Sequence, residues 1–383
     1  MKYIFTDFYN EFECVGGTCP DTCCGKWKIP IDDDTMQKYA GLEEPQKKWL
    51  YSGIKEEIVG GKVQNVIKMK ENGYCPFLNE GNLCDIYLKV APDALSYVCQ
   101  TYPRKIITYY DVVFATVCVS CPEVVRILLR RKEPITFEYV EDNGTTNIAG
   151  ADWILYNEMI NGLVITTDIL QKRTYTVWER VYLVLDITYQ IQKHINEGNL
   201  VNLRKDIELY KAIDFCDEKV GKIRNAKGYI SGYWAVIHDI LNWLERIDNM
   251  SEESRTFFQR YICLEKTDEK TYCNWLKSFK EIEEETEFEN LAVDFIFEYY
   301  MDTLKGKNLF TNVIKMVLLL VMIRSYEVLH YNVTGELAEE VKIEIISKLS
   351  RIMEHTQVLN KIVEELLKNN REEELYKLAY LLF

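Results

Sequence analysis

A chain of 383 residues with 48% hydrophobic and 13% aromatic residues has ample material for a buried core, which excludes a disordered or low-complexity protein. Its length suits two or three ordinary domains, or one large helical body with a smaller module attached. The formal net charge of −14 argues against a nucleic-acid partner, because phosphate binding draws its affinity from clustered Lys and Arg that release counterions.

The chain opens MKYIFTDFYNEFEC, with Asp7 and Glu11 early and no apolar run of signal-peptide length, so a cytoplasmic location is expected. Cysteines then dominate. Nine of the twelve lie within the first 121 residues, beginning with the run Cys14-Val-Gly-Gly-Thr-Cys19-Pro-Asp-Thr-Cys23-Cys24. Cys75-Pro-Phe-Leu, Cys84, Cys99 and the pair Cys118-Val-Ser-Cys121 follow, each in a polar or turn-rich setting. Thiolates gathered this way select zinc or iron–sulfur clusters over harder ions. Gly16, Gly17 and Gly25 suit a loop wrapped around such a centre. Two other readings are a disulfide framework, disfavoured in a reducing compartment, and ordinary buried thiols. Paired Cys-x-x-Cys knuckles are nearly absent, Cys118 and Cys121 alone having that spacing. The three-cysteine motif usual in radical enzymes that use S-adenosylmethionine is also missing, because Cys24 follows Cys23 at once.

Ile106 to Cys118 is rich in β-branched and aromatic residues around a central Asp and predicts a hairpin. Pro122 to Arg131 predicts a helix with proline in its first turn, which sets the second cysteine group at a strand-to-helix junction. Pro134 to Val140 suggests one more strand, Asp142 to Asn147 a turn, and a module boundary near residue 150. Helix dominates beyond it. Trp178, Val181 and Leu185 mark one buried face of a helix over Trp178 to Ile195. The acidic run Glu281 to Glu289 is expected to be a solvated helix face or loop. Asn312 to Tyr331 predicts a central covered helix, and no membrane span is expected. Its longest apolar run, Met316 to Ile323, lies between Lys315 and Arg324, well short of the roughly 20 residues a crossing needs. Val358 to Leu367 repeats the amphipathic spacing, and Leu375 to Phe383 suggests closing helical turns. The scattered His194, His238, His330 and His355 are expected to be packed helix residues, and Cys216, Cys263 and Cys273 buried thiols.

These elements predict a mainly α (α+β) protein: a small cysteine-rich module of short strands and loops, residues 1–150, packed on a larger all-helical domain, residues 151–383. No glycine-rich dinucleotide turn, phosphate loop, His-Glu-x-x-His or nucleophile elbow is present. The sequence singles out no catalytic residue.

The order Cys-x4-Cys-x3-Cys-Cys, followed by Gly25-Lys-Trp-Lys-Ile-Pro-Ile-Asp32, Cys75-Pro-Phe-Leu with Cys84, Cys99 before Tyr102-Pro103-Arg104, and Ser120-Cys121-Pro122-Glu123, resembles the bacterial flagellin lysine N-methylases of the FliB type. It covers the first 130 residues well; the helical remainder, including Glu354-His355, fits loosely. The cysteine scheme is also similar to that of the YkgJ-like proteins, described as zinc- or iron-chelating. The resemblance implies methyl transfer from S-adenosylmethionine to lysine ε-amines of flagellin, with a [4Fe–4S] cluster. By motif position it carries over Cys14, Cys19, Cys23, Cys24, Cys75, Cys84, Cys99 and Cys121 as candidate ligands. Eight exceed the four of one cubane cluster, so either a second metal is bound or some thiols are structural. Chemistry adds candidates beside the cysteines. Tyr102, and Tyr109 or Tyr110, offer an aromatic face to a sulfonium cation and Arg104 a fork for a carboxylate or an anionic cluster. A core tyrosine and a structural ion pair are the alternatives. The rival function is a non-catalytic zinc- or iron-binding protein serving metal delivery or a partner.

Overall fold

The structure is a computed structural model that describes residues 1–25, 27–59, 61–142, 152–225, 252–260, 267–306, 308–355 and 358–367. The fold is mainly α, with a small sheet-bearing N-terminal region and a larger helical C-terminal region.

Two sheets organise the N-terminal part. The first runs in the order β5 (Arg104–Tyr109), β6 (Val112–Val117), β1 (Lys2–Thr6), β7 (Phe137–Glu141). The expected hairpin is β5–β6, with Tyr109 opposite Val112 and Tyr110 turning at a φ of 52°. β1 runs parallel to β6 with Lys2 opposite Val112, and β7 closes the edge antiparallel. Every residue of β6 is buried, as expected for a strand covered on both faces. The second sheet, β2 (Pro30–Ile31), β4 (Lys62–Ile67), β3 (Ile54–Val59), belongs to the long excursion between β1 and β5 that carries most of the cysteines.

That excursion has its own hydrophobic core, centred on Ile31, Tyr39, Leu50, Ile67, Phe77 and Ile86. The first sheet shares a different one. Phe8, Val112, Phe114 and Val117 belong to the same core as the helical body. The turn expected over Asp142 to Asn147 and the boundary near 150 fall on residues 143–151, outside the described residues apart from Asp142.

In the helical region, Val177–Glu197 begins with a reciprocal capping box, Thr176 with Glu179, and ends at Gly198 in the left-handed region, φ 67°. Trp178, Val181 and Leu185 are buried on it as their spacing predicts. At the centre is Leu309–Thr334, 26 residues long and packed against Val177–Glu197, Glu285–Tyr300 and Glu339–His355. By length and composition this helix is apolar enough to cross a bilayer, with a mean hydropathy of 1.6 over its best 18-residue window, but 89% of that window is buried inside the molecule. It is the core helix the sequence predicts. Val358–Leu367 is helical as expected, while Leu375 to Phe383 lies outside the described residues.

The acidic run departs from its expected solvated state. Glu285–Tyr300 is a helix, and Glu287 and Glu289 within it are buried. Glu289 pairs with Arg180 and Arg173, Glu287 with Lys342, and Glu283 with Arg324. Buried carboxylates persist when each meets a cation in hydrogen-bonding geometry, and those partners come from other helices and, for Arg173, from the turn before Val177–Glu197, which local composition does not reveal.

Candidate metal centre

Five cysteines from four separate segments line one cavity of about 80 Å³: Cys23, Cys24, Cys75, Cys84 and Cys99. Trp27, Tyr39 and Tyr102 close its apolar walls together with aliphatic side chains.

Backbone pairing, more than sequence proximity, brings these thiols together. An isolated antiparallel bridge joins Gly25 to Tyr74, and the Cys75 amide donates to the Cys24 carbonyl at 2.8 Å. Gly25 is required by closeness: a Cβ there would lie 2.7 Å from the Tyr74 ring and 3.0 Å from the Gly73 carbonyl. A second bridge, Leu78 to Cys84, closes a loop in which Asn79 Oδ1 accepts the amides of Gly81 (2.9 Å) and Leu83 (3.1 Å). Cys84 then caps the short helix Asp85–Lys89. Cys99 lies on Tyr97–Thr101, whose first amide donates to Asp32 Oδ2 at 2.7 Å. The Trp27 indole N–H donates to the Cys23 carbonyl at 2.8 Å, fixing the vicinal pair from the other side.

The thiols feel one another and their burial. Burial, opposed by the Phe77 amide, pushes Cys75 up to about 12, and burial pushes Cys99 up to about 11. Cys24 falls to about 7, chiefly because the Cys23 thiol donates to it, and Cys23 rises for the same reason and from burial. Cys24 is therefore the most readily ionised thiol of the cavity.

Among the described residues no three Cys, His, Asp or Glu side chains close on a single point as one ion requires. The donors instead stand around a space larger than the ~30 Å³ share of one water. Soft sulfur donors on the walls of an otherwise apolar cavity fit a thiolate-ligated metal centre. The five cysteines that line the cavity, Cys23, Cys24, Cys75, Cys84 and Cys99, are the candidates to hold it.

The other expected residues are distributed as follows. Cys14 is exposed and Cys19 half-buried, and neither lines the cavity. Cys121 is buried at the N-cap of Pro122–Arg130, does not line the cavity, and lies within the electrostatic field of Cys19 and Arg351. Tyr102 lines the cavity, packs on Trp27 with ring centroids 5.7 Å apart, and shares a 3.1 Å hydrogen bond with Ser120 Oγ. Arg104 is not brought to the cavity: its guanidinium lies over the rings of Tyr9 (5.4 Å) and Phe12 (5.2 Å). Cys216 is the buried thiol expected of it, Cys273 is half-buried, and Cys263 is outside the described residues. His194 pairs with Asp206 at 2.7 Å, and His238 is outside the described residues.

Sequence reasoning missed Arg351 and Asp21. Arg351, on Glu339–His355, reaches the cysteine loop and pairs with Asp21 at 2.9 Å. One signal was present. Ser347, Ser350 and Arg351 follow helical spacing and form a buried polar stripe on that helix.

Comparison with known proteins follows the same two parts. Residues 13–122 match a family model described as a "Putative zinc- or iron-chelating domain". Over 135 residues the chain is 30% identical to the flagellar biosynthetic protein FliU of Salmonella muenchen, covering 32% of this chain and 73% of that one. Over 127 residues it is 32% identical to the lysine-N-methylases of Salmonella typhimurium and Salmonella choleraesuis. That match covers 32% of this chain and 31% of each of those relatives. No solved structure matches the chain. Residues 164–382, more than half of the chain, match the model of the FliB lysine N-methylase C-terminal domain. With a cysteine-lined cavity on one side and this helical match on the other, the chain belongs to the FliB lysine N-methylase family.

Proposed function

We propose that this protein transfers a methyl group from S-adenosylmethionine to lysine ε-amines of a flagellar protein, flagellin, and holds a [4Fe–4S] cluster in the cysteine-lined cavity. The observation that carries this reading is the convergence of five thiols from four segments on one cavity in a member of this family. The names of the relatives, a flagellar biosynthetic protein and two lysine-N-methylases, support the substrate class.

The transfer balances without redox chemistry. The neutral amine donates its lone pair to the methyl carbon, the carbon–sulfur bond breaks, the sulfonium becomes a neutral thioether, and one proton leaves the nitrogen. An amine with an unperturbed pKa near 10.4 must first lose a proton, so the site has to disfavour its charged form. When bound, the cluster supplies an iron able to hold the donor's amino and carboxylate groups, or an anchor for the surrounding loops. The chain's own contribution is the apolar wall. Trp27 and Tyr102, packed on each other at a tilt of 36°, offer aromatic faces to a sulfonium cation and exclude water from the carbon–sulfur bond. Thiolate ligands persist in a reducing compartment, which supports a cytoplasmic location.

The test uses protein purified without oxygen, with metal analysis, an ultraviolet–visible spectrum and transfer of labelled methyl groups to flagellin. Brown protein with about four irons per chain and broad thiolate–iron absorbance, together with label on flagellin lysines, is the expected result. Colourless protein with stoichiometric zinc and no affinity for S-adenosylmethionine in calorimetric titration would overturn it in favour of a zinc-binding protein.

A further inference from the structure

Arg351 belongs to the helical region that matches the methylase C-terminal model, yet its guanidinium ends among the cysteines of the other lobe. It is 6% exposed. Besides its 2.9 Å pair with Asp21 Oδ2, it donates to the carbonyls of Ser120 (2.9 Å), Asp21 (3.3 Å) and Thr22 (3.5 Å). Thr22 immediately precedes the vicinal pair Cys23–Cys24, and Ser120 immediately precedes Cys121. One side chain therefore pins two cysteine-bearing stretches to each other and both to the helical body. The planar, five-donor fork of arginine can satisfy several carbonyls and a carboxylate at once, which the compact ammonium of lysine does not.

Among the described residues between Gly16–Thr18, a single 3-10 turn, and β2 there is no regular element. Cys24 is held by the bond of its amide to Thr22 Oγ1 (3.2 Å) and by the Cys75 amide on its carbonyl (2.8 Å), neither of which reaches Cys121. Burying a guanidinium is costly unless it is paired and hydrogen-bonded, and here its ion pair and hydrogen bonds among the described residues go to the cysteine loop and to the residue before Cys121. Its charge is also near Tyr102 and Cys23, which line the cavity, and Cys121.

We propose that Arg351 is a positioning residue for the metal centre, holding the Cys19–Cys24 loop against Cys121 and placing a buried positive charge beside the stretch that leads into Cys23, one of the thiols lining the cavity. The proposal rests on the metal-centre reading above. A fixed cation near a thiolate-ligated iron centre favours its reduced, more negative state, so the charge raises the reduction potential, while the fork sets how firmly metal is retained. The helical body and the metal lobe are thereby coupled through one residue.

The test compares the full-length wild type with Arg351→Gln, Arg351→Lys and, as a control on the same helix, Lys348→Gln, which removes a cation that pairs with Glu344 and lies over the Phe257 ring. Three quantities are read: metal per chain, the rate of metal release to a chelator, and, where the metal is iron, the midpoint potential. Arg351→Gln is expected to release metal about tenfold faster or more, as for loss of an outer-shell partner, and to have a lower midpoint potential. Arg351→Lys should keep a midpoint near that of the wild type but still release metal faster, and Lys348→Gln should match the wild type throughout. If Arg351→Gln fails to fold, Asp21→Asn, which removes only the ion pair, should speed release in the same direction. Wild-type protein that binds no metal would overturn the metal-centre reading itself. Wild type that holds metal, with a folded Arg351→Gln or Asp21→Asn that releases it at the wild-type rate and with an unchanged midpoint, would overturn the role of Arg351 alone.

Discussion

Gly25 shows how much of the site depends on one missing methyl group. The antiparallel bridge to Tyr74 sets Cys24 beside Cys75, and a Cβ at Gly25 would meet backbone and ring atoms at 2.7–3.1 Å. Neither neighbour can move without opening the bridge. Gly25→Ala is expected to destabilise the lobe by about 1–3 kcal/mol, the usual cost of overpacking, and to lower bound metal, measured by denaturation and metal analysis. The cysteines divide in the same experiment. Cys75→Ser and Cys84→Ser should lose most of the metal. Cys14→Ser should retain it, because Cys14 is exposed and away from the cavity, and so should Cys216→Ser, whose thiol is buried against the Tyr210 carbonyl. Full metal in Cys75→Ser would rule out the cavity as the binding site. The density of cysteines was legible in the sequence. Which of them converge was not, because the bridges Gly25–Tyr74 and Leu78–Cys84 join positions with no periodic relation.

At the scale of elements, legibility followed length. Helices of sixteen residues or more, such as Val177–Glu197 and Leu309–Thr334, repeat their apolar face often enough to be read. The five-residue helices Asp85–Lys89 and Tyr97–Thr101, which carry or follow cysteines, complete fewer than two turns and leave no pattern. The acidic run misled for a related reason: Lys342 and Arg180, which pair with Glu287 and Glu289, lie on other helices. Short helices need external fastening, and Asp32 provides it. Its carboxylate caps Asp33–Ala40 through the Thr35 amide at 2.9 Å and also accepts the Tyr97 amide at 2.7 Å, tying the Cys99 helix to it. Asp32→Ala should therefore cost more than an ordinary cap, about 2 kcal/mol, at the upper end of N-cap losses. It should also speed alkylation of Cys99, read by mass spectrometry of the labelled peptide. An alkylation rate equal to that of the wild type would mean that Asp32 fastens only its own helix.

For the whole molecule, the contact of consequence is between the first sheet and the helical body, since the sheet carries the chain into and out of the cysteine lobe. A polar thread crosses it. Thr6 and Thr116 share a 3.2 Å hydrogen bond between β1 and β6, and Thr116 Oγ1 donates to Asp294 Oδ1 at 2.6 Å on Glu285–Tyr300. One turn further along, Glu298 meets Lys105 of β5 at 3.4 Å and the Cys118 thiol at 3.8 Å. Burial, and then the nearby charge of Glu298, hold Asp294 well above the usual carboxylate range despite the hydrogen bond from Thr116. The folded protein thus keeps a proton that the unfolded chain gives up near pH 4. A native state that binds more protons than the unfolded state loses stability as pH rises, so this contribution is fully present below the unfolded pKa and declines above it. Asp294→Asn stays neutral at every pH and keeps an acceptor for Thr116. Its melting temperature relative to the wild type should therefore shift in the variant's favour between pH 4 and pH 8, whatever the offset at pH 4. A difference that stays constant across that range would mean that Asp294 titrates alike in both states, and that the sheet is joined to the helices without a buried proton.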